Sequence, residues 1–163
     1  MATLEERVQR LEEIAAIKRL KRLYARTVDR FAPGEEFAAL FTEDGVLDSD
    51  PLGYYEGRAA IAEFFNGARK TFSFFLHYTD APIIDIAPSG TEATGTWYMW
   101  EPATRNGEAV WMGVTCNDRY KKVNGEWKFT YFGAKNHFVT PYDQGWVKQP
   151  FLTDLPAAPA AGR

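Results

Sequence analysis

Leu4, Val8, Leu11, Ile14, Ile17, Leu20, Tyr24, Val28 and Phe31 recur at spacings of three and four, which predicts one long amphipathic helix at the start of the chain. "TLEE" just before the stripe offers a capping box, with the Thr3 hydroxyl and the Glu6 carboxylate each able to satisfy a free amide of the first turn. Pro33 and Gly34 should stop or bend this helix, and "EEFAALF" resumes as a short second one. "TEDGVLDSDPLGYYEG" is turn-rich with a short strand at Val46 and Leu47, and "RAAIAEFFNGARK" is again helical, with Ile61, Phe64, Phe65 and Ala68 on one face. From Thr71 onward, mixed aromatic and β-branched residues predict strands over 73–86, 91–101, 109–122 and 126–139, the last two joined by a tight turn at Asn124 and Gly125.

Helices followed by an antiparallel meander is an α+β plan, with the helices on one face of the sheet. Strands of ten or more residues punctuated by Gly95, Gly113 and Gly133 predict strong curvature, so the sheet should wrap the first helix as a cone with a hollow mouth. Residues 1–150 read as a single domain, and the Ala/Pro-rich stretch 151–163 reads as a disordered tail.

At 163 residues the chain is one domain by size and long enough to enclose a cavity. A net charge of -3 argues against nucleic acid or an anionic membrane as partner, and on a helix the cations of "KRLKRLYAR" are expected on the solvent side of the apolar stripe. One cysteine, Cys116, excludes an internal disulfide and multi-cysteine metal sites. With no apolar signal core and no run near the roughly 18 residues of a membrane span, the expectation is a soluble, cytoplasmic protein.

Hydrolase elbows, glycine-rich phosphate loops and H-E-x-x-H are all absent, and neither His77 nor His137 has a partner at ligand spacing, so no metal and no cofactor are expected. What remains are polar residues on otherwise apolar elements: Tyr24 and Asp29 on the first helix, His77 and Glu101 on strands. Asp29 is oddly placed, because a carboxylate in the last turn of a helix faces the negative end of the macrodipole. Either it makes a surface pair with Arg22 or Arg26, or it reaches across to hold His77, fixing the tautomer and raising the basicity of the imidazole.

The pieces "AIKRLKRLYARTVD", "YYEGRAAIAEF", "LHYTDAPIIDI", "ATGTWYMWE" and "DRYKKVNGEWKF", in that order, resemble the SnoaL-like group of the nuclear transport factor 2-like superfamily over nearly all of residues 4–145. That group includes scytalone dehydratase, bile-acid 7α-dehydratases and the lindane dehydrochlorinase. The resemblance implies a curved sheet rolled over the N-terminal helices around an apolar cavity, with Asp29 and His77 as the working pair, assisted by Tyr24. The lysine and arginine that the dehydrochlorinase carries at the positions of Tyr24 and Phe132 are missing here, which argues against chloride elimination.

Alternation along the strands, anchored by the resemblance, puts Phe75 with His77, then Trp97, Met99 and Glu101, then Val114 and Cys116, then Phe132 and Ala134 on the inner face. Phe75, Trp97, Met99, Glu101, Cys116 and Phe132 are accordingly the expected substrate-binding wall, around a small hydrophobic molecule. Cys116 reads as pocket wall, not nucleophile. The expected activity is a cofactor-independent lyase (dehydratase) or isomerase acting on a hydrophobic cyclic carbonyl compound such as a steroid, terpenoid, polyketide or aromatic degradation product. The alternative is a non-catalytic binding or assembly domain of the same fold. Outer-face aromatics such as Tyr98, Trp100 and Trp111 predict self-association as a dimer or trimer, which light scattering at micromolar concentration tests.

Overall fold

The capping box forms as the sequence predicts: Thr3 Oγ1 accepts from the Glu6 amide and the Glu6 carboxylate accepts from the Thr3 amide. From this cap the computed structural model, which describes residues 2–155, runs α1 (Leu4–Asp29), α2 (Gly34–Ala38), β1 (Phe41–Asp50), β2 (Gly53–Glu56), α3 (Arg58–Ala68), β3 (Phe72–Phe75), β4 (Tyr78–Ile86), β5 (Glu92–Arg105), β6 (Glu108–Val123), β7 (Glu126–Pro141) and α4 (Gly145–Lys148). The strands form one curled sheet in the order β2-β1-β7-β6-β5-β3, with β4 also on β5.

The expected meander is present in β5, β6 and β7, and Asn124 and Gly125 both take positive φ at its last turn. Two expectations need correction. The sheet is mixed, not antiparallel throughout: β1 is a ten-residue strand that pairs in parallel with β7, Leu47 opposite Phe132 and Ser49 opposite Ala134. Alternating burial along β1 supports this pairing, but turn-forming residues at both of its ends obscured its length. The strand expected over 73–86 is interrupted at Leu76 and His77, although the register runs on: Phe75 lies opposite Ala103 and Tyr78 opposite Trp100.

The buried residues of α1 all lie in its second half. Ile17, Leu20, Tyr24 and Val28 are buried, whereas Leu4 and Leu11 in the same stripe are 68% and 66% exposed because the helix projects past the sheet edge there. The stop comes earlier than Pro33. Phe31 takes a left-handed φ of 52°, its amide bonds to the carbonyl of Val28, and the amide of Ala32 bonds to that of Thr27. This is a Schellman ending with a non-glycine residue, which costs on the order of 1 kcal/mol. Contact between the Phe31 and Phe75 rings, 6.0 Å apart at their centroids, ties the turn to β3 and offsets part of that cost. The consequence is positional: Asp29 becomes the last helical residue, aimed at the β3–β4 junction.

The basic segment also departs from expectation. Lys21 is 0% exposed, with its ammonium 2.7 Å from Asp118 Oδ2 and 4.0 Å from the centre of the Phe132 ring. Asp118 accepts from the Tyr120 hydroxyl (2.9 Å), and that oxygen accepts from the Trp97 indole (2.8 Å), so one hydrogen-bonded chain fastens α1 to β5 and β6.

On the outer face, Trp100, Trp111, Phe138 and Trp146 form a contiguous aromatic cluster. His137 lies on this face too, bonded to Thr115 Oγ1 at 2.7 Å, and is remote from the concave side. Residues 151–155, expected to begin a disordered tail, return along β7: the Leu152 amide bonds to the carbonyl of Val139, and Arg105 donates to Asp154 at 2.6 Å. Residues 156–163 lie outside the described residues. No helix among the described residues is long and apolar enough to cross a membrane.

Candidate functional site

Asp29 reaches His77, not the arginines of its own helix. His77 Nδ1 stands 2.6 Å from Asp29 Oδ1, and the backbone amide of His77 donates to the same carboxylate at 3.1 and 3.3 Å. One side chain therefore holds both ends of the histidine. The strand is interrupted at this point because the amide is directed to the carboxylate. With Asp29 as acceptor, Nδ1 carries the ring proton and Nε2 faces inward.

The register that sets Phe75 opposite Ala103 and Tyr78 opposite Trp100 places His77 opposite Glu101, whose Oε2 is 3.5 Å from His77 Nε2. Both are well shielded, with side-chain exposures of 3% for His77 and 8% for Glu101. Burial is the largest single influence on the imidazole and lowers its pKa, but the Glu101 and Asp29 carboxylates together outweigh it, so the pKa of His77 sits above its ordinary 6.5. Burial likewise holds the Glu101 carboxyl above the usual carboxylate range.

Tyr24 completes the group. Its ring meets that of His77 edge-on at 5.6 Å, and burial, reinforced by Glu101, pushes its phenol well above the ordinary value, so it remains a donor at all working pH. Among the described residues its hydroxyl has no hydrogen-bond partner, which leaves an unused donor in the cavity wall.

Tyr24, His77 and Glu101 line a cavity of about 230 Å³ under the curl of the sheet. Its other walls are mostly apolar, including Val28, Phe65, Phe72, Met112 and Val114. Of the residues expected in the wall, Phe75, Met99, Glu101 and Phe132 line it, whereas Trp97 and Cys116 do not. Those two point inward as alternation requires, but they sit deeper, where α1 fills the cone: Trp97 bonds to Tyr120 and Cys116 contacts the Met99 sulfur at 3.7 Å. Burial pushes the Cys116 thiol up to about 12, which leaves no thiolate at neutral pH. Polar wall residues not foreseen are Ser49, Thr71, Arg105 and Asn136. The parallel partner of β7 was hidden in the turn-rich segment, so Ser49 could not be assigned a face. Among the described residues no cluster of His, Cys, Asp and Glu could hold a metal ion.

Residues 9–132 match the family described as the SnoaL-like domain. A Novosphingobium aromaticivorans protein provisionally named a scytalone dehydratase is 27% identical, with a TM-score of 0.77 over 95% of this chain and 97% of its own. A hexachlorocyclohexane dehydrochlorinase, LinA type 2, shares 18% identity at a TM-score of 0.76 over 95% of this chain and 99% of its own. A second N. aromaticivorans protein, provisionally named an aromatic ring hydroxylase, shares 24% at a TM-score of 0.75 over 80% and 94%. At these identities the two latter likenesses establish a shared fold and nothing of activity.

Proposed function

The chain belongs to the SnoaL-like family of the nuclear transport factor 2-like superfamily, and on that premise we propose that it is a cofactor-independent lyase, a dehydratase in the first instance, or an isomerase, working by proton abstraction from a hydrophobic cyclic carbonyl compound. The observation that carries the reading is the convergence of His77, held from behind by Asp29, with Glu101 and an unpartnered Tyr24 hydroxyl on the wall of one apolar cavity. A domain that only binds or assembles has no use for a base oriented from behind and buried from water.

In this mechanism the carbonyl oxygen accepts from Tyr24, which stabilises the negative charge that develops when the adjacent carbon loses its proton. His77 Nε2 takes that proton. The imidazolium that forms is stabilised by Asp29 at Nδ1 and by Glu101 at Nε2. In dehydration the proton then leaves with the departing hydroxyl as water; in isomerisation it returns to a different carbon. A positioned base of this kind supplies roughly 100- to 10,000-fold, and the apolar walls strengthen each electrostatic contact.

The pH profile tests this. Only the neutral imidazole abstracts a proton, so kcat/KM should rise with pH along an acid limb centred above 6.5, the ordinary histidine value. The same raised pKa gives the opposite trend in stability. The imidazolium stabilises the fold fully below its unfolded pKa, and that contribution is lost as pH rises through the folded value. Because the Glu101 carboxylate is one of the influences that raise this pKa, Glu101→Gln should move the acid limb to lower pH. Deuterium incorporation next to the carbonyl of a two-ring ketone such as 2-tetralone, in buffered D2O, provides the readout. A rate equal to buffer at every pH would favour the non-catalytic reading, and a limb unmoved by Glu101→Gln would remove that residue from the mechanism. We further propose that the aromatic cluster of Trp100, Trp111 and Phe138 is where copies of the chain associate.

A further inference from the structure

The cavity has a second polar end. Asn136 on β7 is buried and lines the cavity, and its Nδ2 donates to the backbone carbonyl of Asp50 at 2.6 Å. Only the amide nitrogen can make that bond, so the orientation of the group is fixed and Oδ1 is left without a partner among the described residues. Ser49 on β1 is also buried and also lines the cavity, and its hydroxyl has no hydrogen-bond partner among the described residues. The register sets Ser49 opposite Ala134, so Asn136, two residues along β7, is its diagonal neighbour on the same inner face. Neither oxygen is among the fully enclosed, unpaired polar atoms of the fold, so both retain access to the cavity.

This pair stands apart from His77. Asn136 pairs with Val114, Val114 with Met99, and Met99 with Thr79 on β4, so three strand spacings separate it from the strand that follows His77. That is about 14 Å along the sheet, and less across the chord of the curl. Between Asn136 and His77 the wall is Val114, Met99 and Met112, which offer nothing polar. Buried polar groups that meet no protein partner cost free energy unless a ligand or ordered water satisfies them.

We propose that Ser49 and Asn136 form a recognition subsite for a hydroxyl or similar donor–acceptor group at the end of the substrate remote from the reacting carbon. The substrate is then a ring system with polar substituents at both ends. This rests on the reading of Tyr24, His77 and Glu101 as the reacting end. The volume of about 230 Å³ suits a skeleton of two or three rings more than one of four, since it corresponds to about eight waters of liquid.

The test compares binding of 2-naphthol with that of 2,6-dihydroxynaphthalene, a pair that differs only by a hydroxyl at the far end, by calorimetry on the full chain. Wild type should bind the diol about tenfold more tightly, the worth of one or two well-made hydrogen bonds. Ser49→Ala and Asn136→Leu should each bring the ratio toward one while leaving 2-naphthol affinity unchanged. Asn136→Leu also breaks the bond to Asp50, so Ser49→Ala, which removes no bond within the protein, decides if the former fails to fold. A ratio near one in wild type, or a preference that survives Ser49→Ala, overturns the subsite and leaves the acid–base reading standing. If neither naphthol binds, the cavity itself is not a ring-binding site and both readings fall.

Discussion

Asp29→Asn is expected to lower the rate of α-deuteration on the order of 100- to 10,000-fold while the fold is retained. The asparagine occupies the same volume, and its Oδ1 can still accept from the His77 amide that the aspartate holds at 3.1 Å. What disappears is the negative charge 2.6 Å from Nδ1. Without it the imidazolium loses its principal support from behind, and the new amide N–H can donate to Nδ1, which turns the ring to the tautomer whose Nε2 is already protonated and cannot act as a base. Above the titration of His77 stability should be little changed, because the carboxylate sits at the unfavourable end of the α1 dipole and the neutral amide does not; below it, the stabilisation that Asp29 gives the imidazolium is lost. Thermal melting beside the exchange assay checks both halves. A variant that unfolds would make Asp29 a structural residue, and one that exchanges at the wild-type rate would remove it from the mechanism.

The largest effect on stability is expected from Lys21→Met. That change leaves Asp118 without its cation in a site where both side chains are wholly buried, and breaking such a pair typically costs about 3–5 kcal/mol. For a chain of this size the melting temperature should fall by roughly 6–20 °C. Removing both charges tests the cause. In Lys21→Met with Asp118→Asn, the amide still accepts from Tyr120, no charge is stranded, and most of the loss should be recovered. A double variant no more stable than the single one would locate the loss in packing against Phe132 instead.

Lys21 also shows where sequence reasoning stopped. Cap, helix stripe, hairpin turn and strand alternation are local, and each pointed to its element. The identity of the one buried cation among "KRLKRLYAR" depends on Asp118, 97 residues away, and on which helix face meets the sheet. Asp118 could have drawn notice, since it occupies an inward position between Cys116 and Tyr120 on an otherwise apolar face. The parallel pairing of β1 was hidden for a similar reason: its partner lies more than eighty residues on, and no crossover helix of ordinary spacing announces it.

The candidate site was more legible. An aspartate in a helix's last turn is a local anomaly, and a histidine in an aromatic strand is another; the resemblance joined them. The depth of the cavity was not legible. Alternation assigns a face, not a height, so Trp97 and Cys116 were correctly turned inward but lie beneath the space, where Tyr120 and Met99 fill it. The opposition of Glu101 to His77 follows only from the β3–β5 and β4–β5 register.

The central claim is that Asp29 holds His77 as a base, and NMR of the imidazole nitrogens tests it without any substrate. The chain has only two histidines, and the spectrum of a His137→Asn variant assigns them. Long-range ¹H–¹⁵N correlation should show His77 protonated at Nδ1, titrating above 6.5 in the wild type and at a lower pH in Asp29→Asn. An Nε2-protonated ring, or a titration at or below 6.5 that Asp29→Asn leaves in place, would contradict the account.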